Sequence, residues 1–193
     1  VKPIDIFRDA LPCDFAGSVQ GDAEAGALFG CGTVESAPHR YALWRVWDAE
    51  LPVLVWCLLN PSTATHAKLD PTIRRCIAWA RLWGCGGVLI VNAYAFRSKD
   101  QDVMLRAPNR VGEFNDQFLA HAFAASRAQA TPALAPGTLM VAWGAGIEHD
   151  REARIIDVLL DVGVPTYCLG RTRRGQPRHP VRLAYATPTE LWP

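Results

Sequence analysis

The chain has 193 residues, half of them apolar and a fifth charged, with a formal net charge of +1. That length favours one domain with a full core, and the composition is that of an ordinary globular protein rather than a disordered, fibrous or disulfide-stapled one. The balanced charge excludes a uniformly basic nucleic-acid binder, so any basic surface has to be local. No secretory leader pattern and no apolar run long enough to span a membrane is evident, and a cytoplasmic monomer with no membrane partner is expected. The six cysteines include no Cys-x-x-Cys pair. Cys57 and Cys168 sit in apolar runs and read as buried thiols. A zinc site built on Cys31 and His39 lacks the usual ligand spacing, so no metal and no cofactor is expected.

Residues 1–30 mix Pro, Gly and Asp with short apolar groups and read as an irregular or partly helical lead-in, extending to about residue 40. Tyr41 to Trp47 is aromatic and β-rich. It turns at Asp48-Ala49-Glu50 into the run Val53-Leu54-Val55-Trp56-Cys57-Leu58-Leu59, as a hairpin or as two neighbouring strands. That run ends abruptly at Asn60-Pro61-Ser62-Thr63. Asp70-Pro71 is a helix start, with Asp as N-cap and Pro at the first helical position, and Ile73, Ile77, Ala80 and Trp83 follow at helical spacing. Gly84 to Gly87 stops this helix, and Val88 to Val91 forms a second buried strand ending at Asn92. Residues 97–111 read as a polar loop containing arginines. A helix is predicted near Gly112 to Gln129, a turn over 132–137, a strand from Thr138 to Trp143, a helix from about Glu148 to Val162, and a strand from Pro165 to Leu169. Gly170 to Gly175 is a loop with three arginines. Strand and helix alternate from Val53 to Leu169, the pattern of a parallel sheet covered by helices. The expected fold is therefore α/β, a three-layer α/β/α single domain around a central parallel sheet of about four strands.

In such sheets ligands bind beyond the carboxyl ends of the strands. Asn60, Asn92 and the segment Arg178-His179-Pro180 all end apolar segments, which makes them candidate site residues. Each has a structural reading too. Asn60 could simply cap the turn before Pro61, Asn92 could satisfy loop backbone, and a lone His is commonly structural.

The segments Leu59-Asn60-Pro61-Ser62, Gly87 to Phe96 (through Asn92), Val141-Ala142-Trp143-Gly144 and Arg178-His179-Pro180 resemble, in order and approximate spacing, motifs of the uracil-DNA glycosylase superfamily. A closer resemblance is to the DUF1643 family of bacterial and phage proteins. Its hallmarks stand here as Asn60 to Thr63, Asp70-Pro71-Thr72-Ile73-Arg74-Arg75-Cys76, Trp143-Gly144 and Gly175 to Pro180.

The glycosylase resemblance implies a monofunctional enzyme that hydrolyses an N-glycosidic bond in DNA and leaves an abasic site. It assigns Asn60 to hold the attacking water, Asn92 to read the flipped base, and His179 to donate to the base oxygen as charge develops. Tyr94 or Phe96 could stack on the base, although core packing is the favoured reading for both. Ser62, Thr63, Arg74, Arg75 and the arginines 171, 173, 174 and 178 are candidate phosphate contacts, with Arg182 in the same basic stretch; a solvated loop is the bland alternative.

Several departures from the uracil enzymes matter. The loop after Asn60 lacks their Asp-Pro-Tyr-His form, Val181 stands where a phosphate-binding serine would be, and the cysteine spacing does not suit an iron–sulfur cluster. These departures argue against ordinary uracil repair. The resemblance to a family spread among bacteria and phages implies instead a modified pyrimidine in phage DNA as the expected substrate, with glucosylated hydroxymethylcytosine, removed by one known anti-phage glycosylase, as the candidate and anti-phage defence as the implied role. The alternatives are a uracil or mismatch repair glycosylase, a nucleotide or nucleoside hydrolase, and a non-catalytic module that senses a modified base.

Overall fold

The computed structural model describes residues 18–21, 30–65, 68–131, 133–134 and 137–192, with side chains from Thr33 onward. In chain order the strands are β1 (Ser18–Gly21), β2 (Gly30–Ser36), β3 (His39–Val46), β4 (Val53–Leu58), β5 (Gly87–Asn92), β6 (Leu139–Val141), β7 (Thr166–Cys168) and β8 (Glu190–Leu191). The α-helices are α1 (Pro71–Leu82), α2 (Gln101–Arg106), α3 (Asn115–Arg127) and α4 (His149–Val162). Single 3-10 turns occur at Gly144–Gly146 and Pro180–Arg182.

The protein has a mixed α/β fold. Its sheet runs in the order β1-β2-β3-β5-β4-β6-β7-β8. Within it β5, β4, β6 and β7 are mutually parallel, while β1, β2 and β3 on one side and β8 on the other are antiparallel. The expectation of about four strands thus covers only the parallel centre; among the described residues the sheet has eight strands. Nor are β3 and β4 a hairpin or neighbours, since β5 lies between them. The cause is local. Gly86 sits so close to the β3–β4 turn that a Cβ there would lie 2.0 Å from the Asp48 carbonyl. The backbone N–H groups of Trp47 and Asp48 donate to the Gly86 oxygen, pulling β5 in beside β3.

Strands β4 and β5 are buried along their whole length, as expected of strands covered on both faces. Their side chains alternate between two cores. Val53, Val55 and Cys57 pack with Phe118, Phe123, Ile155 and Leu159, so α3 and α4 cover one face. Leu54, Trp56 and Leu58 pack with Ile73, Cys76 and Trp79, so α1 covers the other. Cys57 and Cys168 are buried free thiols, and burial raises the Cys57 thiol to about 12 and that of Cys168 to about 11.

The start of α1 follows its sequence. The Asp70 side chain accepts from the Ile73 N–H at 2.9 Å, and Pro71 occupies the first helical position. Two parts of the chain depart from their expected form. The stretch 97–111 contains the short helix α2, capped by Asp100 accepting from the Asp102 and Val103 N–H groups. Part of the lead-in, residues 18–21 and 30–36, is antiparallel sheet, and the rest of residues 1–30 lies outside the described residues. Cys31 of the considered zinc pair is likewise outside the described side chains, while His39 Nε2 bonds the Asn109 carbonyl at 2.6 Å. No metal-ligand cluster occurs among the described residues, and among them no helix is long and apolar enough to cross a membrane.

The carboxyl end of β5 is fixed from beneath. Asn115, fully buried at the start of α3, donates to the carbonyls of Asn92 and Ala93 at 3.0 and 3.1 Å. Arg151 donates to the same Ala93 carbonyl at 2.6 Å and pairs with Asp116 at 2.6 Å. Burial alone would raise the Asp116 carboxyl, but Arg154 and Arg151 together hold it below the ordinary carboxylate value. Replacing Asn115 by alanine strips a donor from two buried carbonyls, of which that of Ala93 still has Arg151. The expected cost is about 1–3 kcal/mol. It should show as a lower denaturation midpoint with an unchanged m-value, and an unshifted midpoint would refute this account of the strand end.

Candidate functional site

The chain leaves β4 for β5 on one side and later returns to place β6 on the other, so β4 stands at a switch point of the parallel sheet. Crevices at such points collect ligands. A cleft of about 340 Å³ opens here, at the carboxyl ends of β4, β5 and β6. Asn60, Asn92 and His179 all line it, with Trp143 and Gly144 after β6 and Asp70 and Thr72 at the start of α1. Three segments far apart in the sequence therefore deliver their candidate side chains to one space.

Asn60 is half-buried just beyond β4. Its amide nitrogen donates to the Pro61 and Ser98 carbonyls, each at 2.9 Å. Two carbonyl partners can only face an NH₂ group, which settles the orientation of the carboxamide. The amide oxygen is left without a partner among the described residues and available to the cleft. The structural reading of Asn60 as a turn residue therefore holds: the nitrogen ties the β4 and β5 loops together, and no described group bonds the oxygen.

The loop after Asn60 is held by further donors. Arg97 donates to the Ser62 carbonyl at 3.1 Å and to that of Ala64 at 3.2 Å. Arg40 also donates to the Ala64 carbonyl, and Arg45 donates to that of Thr65. The Ala64 N–H donates to Asp70 at 3.3 Å. A loop so tied presents Asn60 and Ser62 in one conformation.

Asn92 is only 3% exposed, at the last position of β5. Its backbone carbonyl is taken by Asn115, but no described group bonds its carboxamide. A buried amide with no protein partner is costly unless something else supplies the hydrogen bonds. Here it borders the cleft, where a ligand can.

His179 precedes the 3-10 turn at Pro180, and its Nδ1 accepts a long 3.5 Å bond from the Val181 N–H. A backbone N–H can only donate, so in the neutral ring the proton resides on Nε2, leaving that nitrogen as a donor. Burial lowers the imidazole from its ordinary 6.5, opposed by the Asp70 carboxylate. The ring is therefore neutral at pH 7. Gly144, with φ +74, donates its N–H to the Pro177 carbonyl at 2.9 Å, and a Cβ at Gly144 would sit 3.5 Å from the His179 Cβ. The Trp143-Gly144 turn and the Pro177 to Pro180 segment are thus one structural unit that seats the histidine.

The other candidate residues are placed differently. Ser62 lines the cleft; Thr63 is half-buried beside it but not part of the lining. Tyr94 is fully buried, and its hydroxyl donates to Glu148 at 3.0 Å on the far side of the sheet end; burial first, then Glu148, pushes the phenol up to about 12. Phe96 is half-buried and packs edge-on against His39. Both aromatics belong to the core, away from the cleft. Arg74 is exposed on the first turn of α1. Arg75 donates to the Leu183 carbonyl and stacks 3.8 Å over the Tyr185 ring. Arg171 pairs with Glu190 at 3.0 Å and donates to the Leu191 carbonyl at 2.9 Å. Arg173, Arg174, Arg178 and Arg182 are exposed, and none of them lines the cleft.

The cleft also contains residues that the sequence did not single out. Arg40, at the start of β3, lines it while 2% exposed, and burial and the neighbouring Arg97 lower its guanidinium to about 10. Lys99 and Gln101 form the rim. Asp70 was legible as a helix cap, not as part of a site. Nothing in the local sequence of Arg40 marks it, because its role depends on β3 lying beside β5.

The family model described as "Protein of unknown function (DUF1643)" matches residues 40–181. No curated protein and no solved structure matches the chain. The matched stretch is well over half of the sequence and contains every element that builds the cleft, from Arg40 to His179. On that match the chain belongs to the DUF1643 family.

Proposed function

We propose that the protein is a monofunctional DNA glycosylase, with a three-layer fold like that of uracil-DNA glycosylases, acting on a flipped, modified pyrimidine. The observation that carries this reading is the single cleft faced by the free amide oxygen of Asn60, the unpartnered carboxamide of Asn92 and the imidazole of His179. Breaking an N-glycosidic bond requires a held water on one side of the sugar and donors to the departing base on the other.

Asn60 fits the first task. Its oxygen accepts from a water and orients it, but takes a proton poorly, which suffices when the bond breaks before the water attacks. Asn92 offers a donor and an acceptor side by side to a pyrimidine edge. His179 donates from Nε2 to the base oxygen as the bonding electrons pass to the base. The water then adds to the sugar carbon, and its proton is lost to solvent.

The cleft volume lies at the low end of the roughly 300–1,000 Å³ of ligand pockets. Its rim residues Lys99, Gln101 and Ala145 are exposed, so a base substituent can extend outward. Neither Tyr94 nor Phe96 narrows it. The small volume by itself suits an unadorned pyrimidine; it is the open rim that supports a sugar-bearing base such as glucosylated hydroxymethylcytosine, whose sugar would lie outside the cleft.

The direct assay is incubation with phage DNA carrying glucosylated hydroxymethylcytosine, with unmodified DNA and with uracil-containing DNA, followed by alkaline cleavage at abasic sites. Cleavage of the glucosylated DNA is expected; none on any of the three would sink the glycosylase reading. Asn60→Ala should lower the rate by about a hundredfold or more, since a positioned catalytic group contributes that much. A non-catalytic base sensor would instead keep its binding and never show turnover.

The lowered imidazole gives the sign of the pH dependence. Neutral His179 is the donor, so the rate should be level from pH 7 upward and fall only as pH drops below the ordinary value of 6.5. The same shift removes stability as pH falls through that range, because the unfolded chain binds the proton more readily. A rate that instead rises toward acid through that range would mean an imidazolium donor and overturn the assignment.

A further inference from the structure

The residue left unexplained by the glycosylase assignments is Arg40. Its guanidinium is buried, and Nη1 donates to the Ala64 carbonyl while Nε has no partner. No carboxylate of the described residues lies within 4.0 Å of it, and its cationic neighbour Arg97 is already committed to Ser62, Ala64 and Glu35. Asp70 is the only acid among the residues lining the cleft, and both its oxygens accept backbone N–H groups, from Ile73 and Ala64. Glu35 and Asp70 favour the charge only from beyond ion-pair distance; a buried cation without a direct counter-ion is expensive, and a ligand anion is the natural compensation.

The surroundings select the kind of anion. Ser62 lines the same cleft, and its hydroxyl bonds no described group; Lys99 lines it from the rim with no described partner. A guanidinium, a hydroxyl and an ammonium converging on one space are the donor set of a phosphate site. The arginines that the sequence offers for this purpose, from Arg171 to Arg178, lie outside the cleft, and Arg171 is neutralised by Glu190.

We infer that Arg40, with Ser62 and Lys99, forms a phosphate subsite within the cleft, which takes a phosphate ester of the nucleotide whose base meets Asn92. This rests on the proposed function only in taking the ligand to be a pyrimidine nucleotide. The phosphate can belong to a DNA strand or to a free nucleotide, since both present the same ester oxygens.

The test is calorimetric titration of the whole protein with deoxycytidine monophosphate, deoxycytidine and a short single-stranded oligodeoxycytidylate. The monophosphate should bind more tightly than the nucleoside by about tenfold or more, the effect of a charge-assisted contact. That preference should disappear in Arg40→Gln and shrink in Ser62→Ala and Lys99→Ala. Tighter binding of the oligonucleotide than of the monophosphate assigns the phosphate to DNA; weaker binding assigns it to a free nucleotide. Equal or undetectable binding of monophosphate and nucleoside to the unaltered protein overturns the inference, and so does a preference that survives in folded Arg40→Gln. The comparison on the unaltered protein needs no variant, so it decides the matter even where Arg40→Gln fails to fold. Because binding is read directly, an absence of abasic sites in the cleavage assay leaves this result standing.

Discussion

Loop carbonyls that leave the sheet at the ends of β4 and β5 must find donors, and in this protein side chains supply them. Asn60 donates to Pro61 and Ser98, Asn115 to Asn92 and Ala93, Arg151 to Ala93, and Arg40 and Arg97 to Ala64. A buried carbonyl without a partner costs about 1–3 kcal/mol, so a loop that turns inward beyond a strand holds its path only when such donors surround it. The cleft is the space these tied loops leave between them. Its shape therefore depends on guanidinium and carboxamide groups more than on the apolar packing beneath.

The net charge of +1 comes from 20 basic against 19 acidic residues, and many of the arginines are engaged inside the molecule. Arg45, Arg75, Arg127 and Arg171 also donate to backbone carbonyls, and Arg110, Arg151, Arg154 and Arg171 pair with carboxylates. Most arginines are thus spent within the molecule. The cations still unspent at the cleft are few, and a modest, localised attraction for an anionic ligand is what remains. A basic surface for non-specific binding needs many free charges and loses affinity steeply with salt.

The centre of the fold, and the meeting of Asn60, Asn92 and His179 in one cleft, were legible because each follows a local rule. β4 and β5 are unbroken apolar runs, and Asn60 and Asn92 are the polar residues that terminate them. Asp70-Pro71 reads as a helix start, and Asp70 caps that helix as the side-chain chemistry requires. The lateral order of strands was not legible, since β3 pairs with β5 through the close approach at Gly86, which exists only in space. The helix α2 is six residues long, too short for an apolar period to emerge, and its single signal was the cap at Asp100. Arg40 was hidden for the first of these reasons. Within β3 it alternates as an ordinary strand residue, and only the β3–β5 pairing carries it to the cleft. For Tyr94 and Phe96 the favoured reading, core packing, holds over the alternative of stacking on a base: Tyr94 is in the core and Phe96 packs against it.

The chemistry open to such a cleft is limited by the protonation of its residues. Asn60 and Asn92 do not titrate, and burial keeps His179 neutral at pH 7. The one lining carboxylate, Asp70, has both oxygens occupied by backbone N–H groups and is poorly placed to take a proton from water. Beside it, the neutral imidazole of His179 is the candidate base among the described lining residues. On the proposed reading the leaving group departs with its electrons before the nucleophile adds, with His179 as neutral donor to the developing anion, Asn60 as neutral acceptor for the water, and the buried Arg40 as a cation whose field favours negative charge. Cleavage of a glycosidic bond to a pyrimidine is a reaction of that kind. The arrangement suits it because none of its three neutral side chains has to change protonation state before the bond breaks.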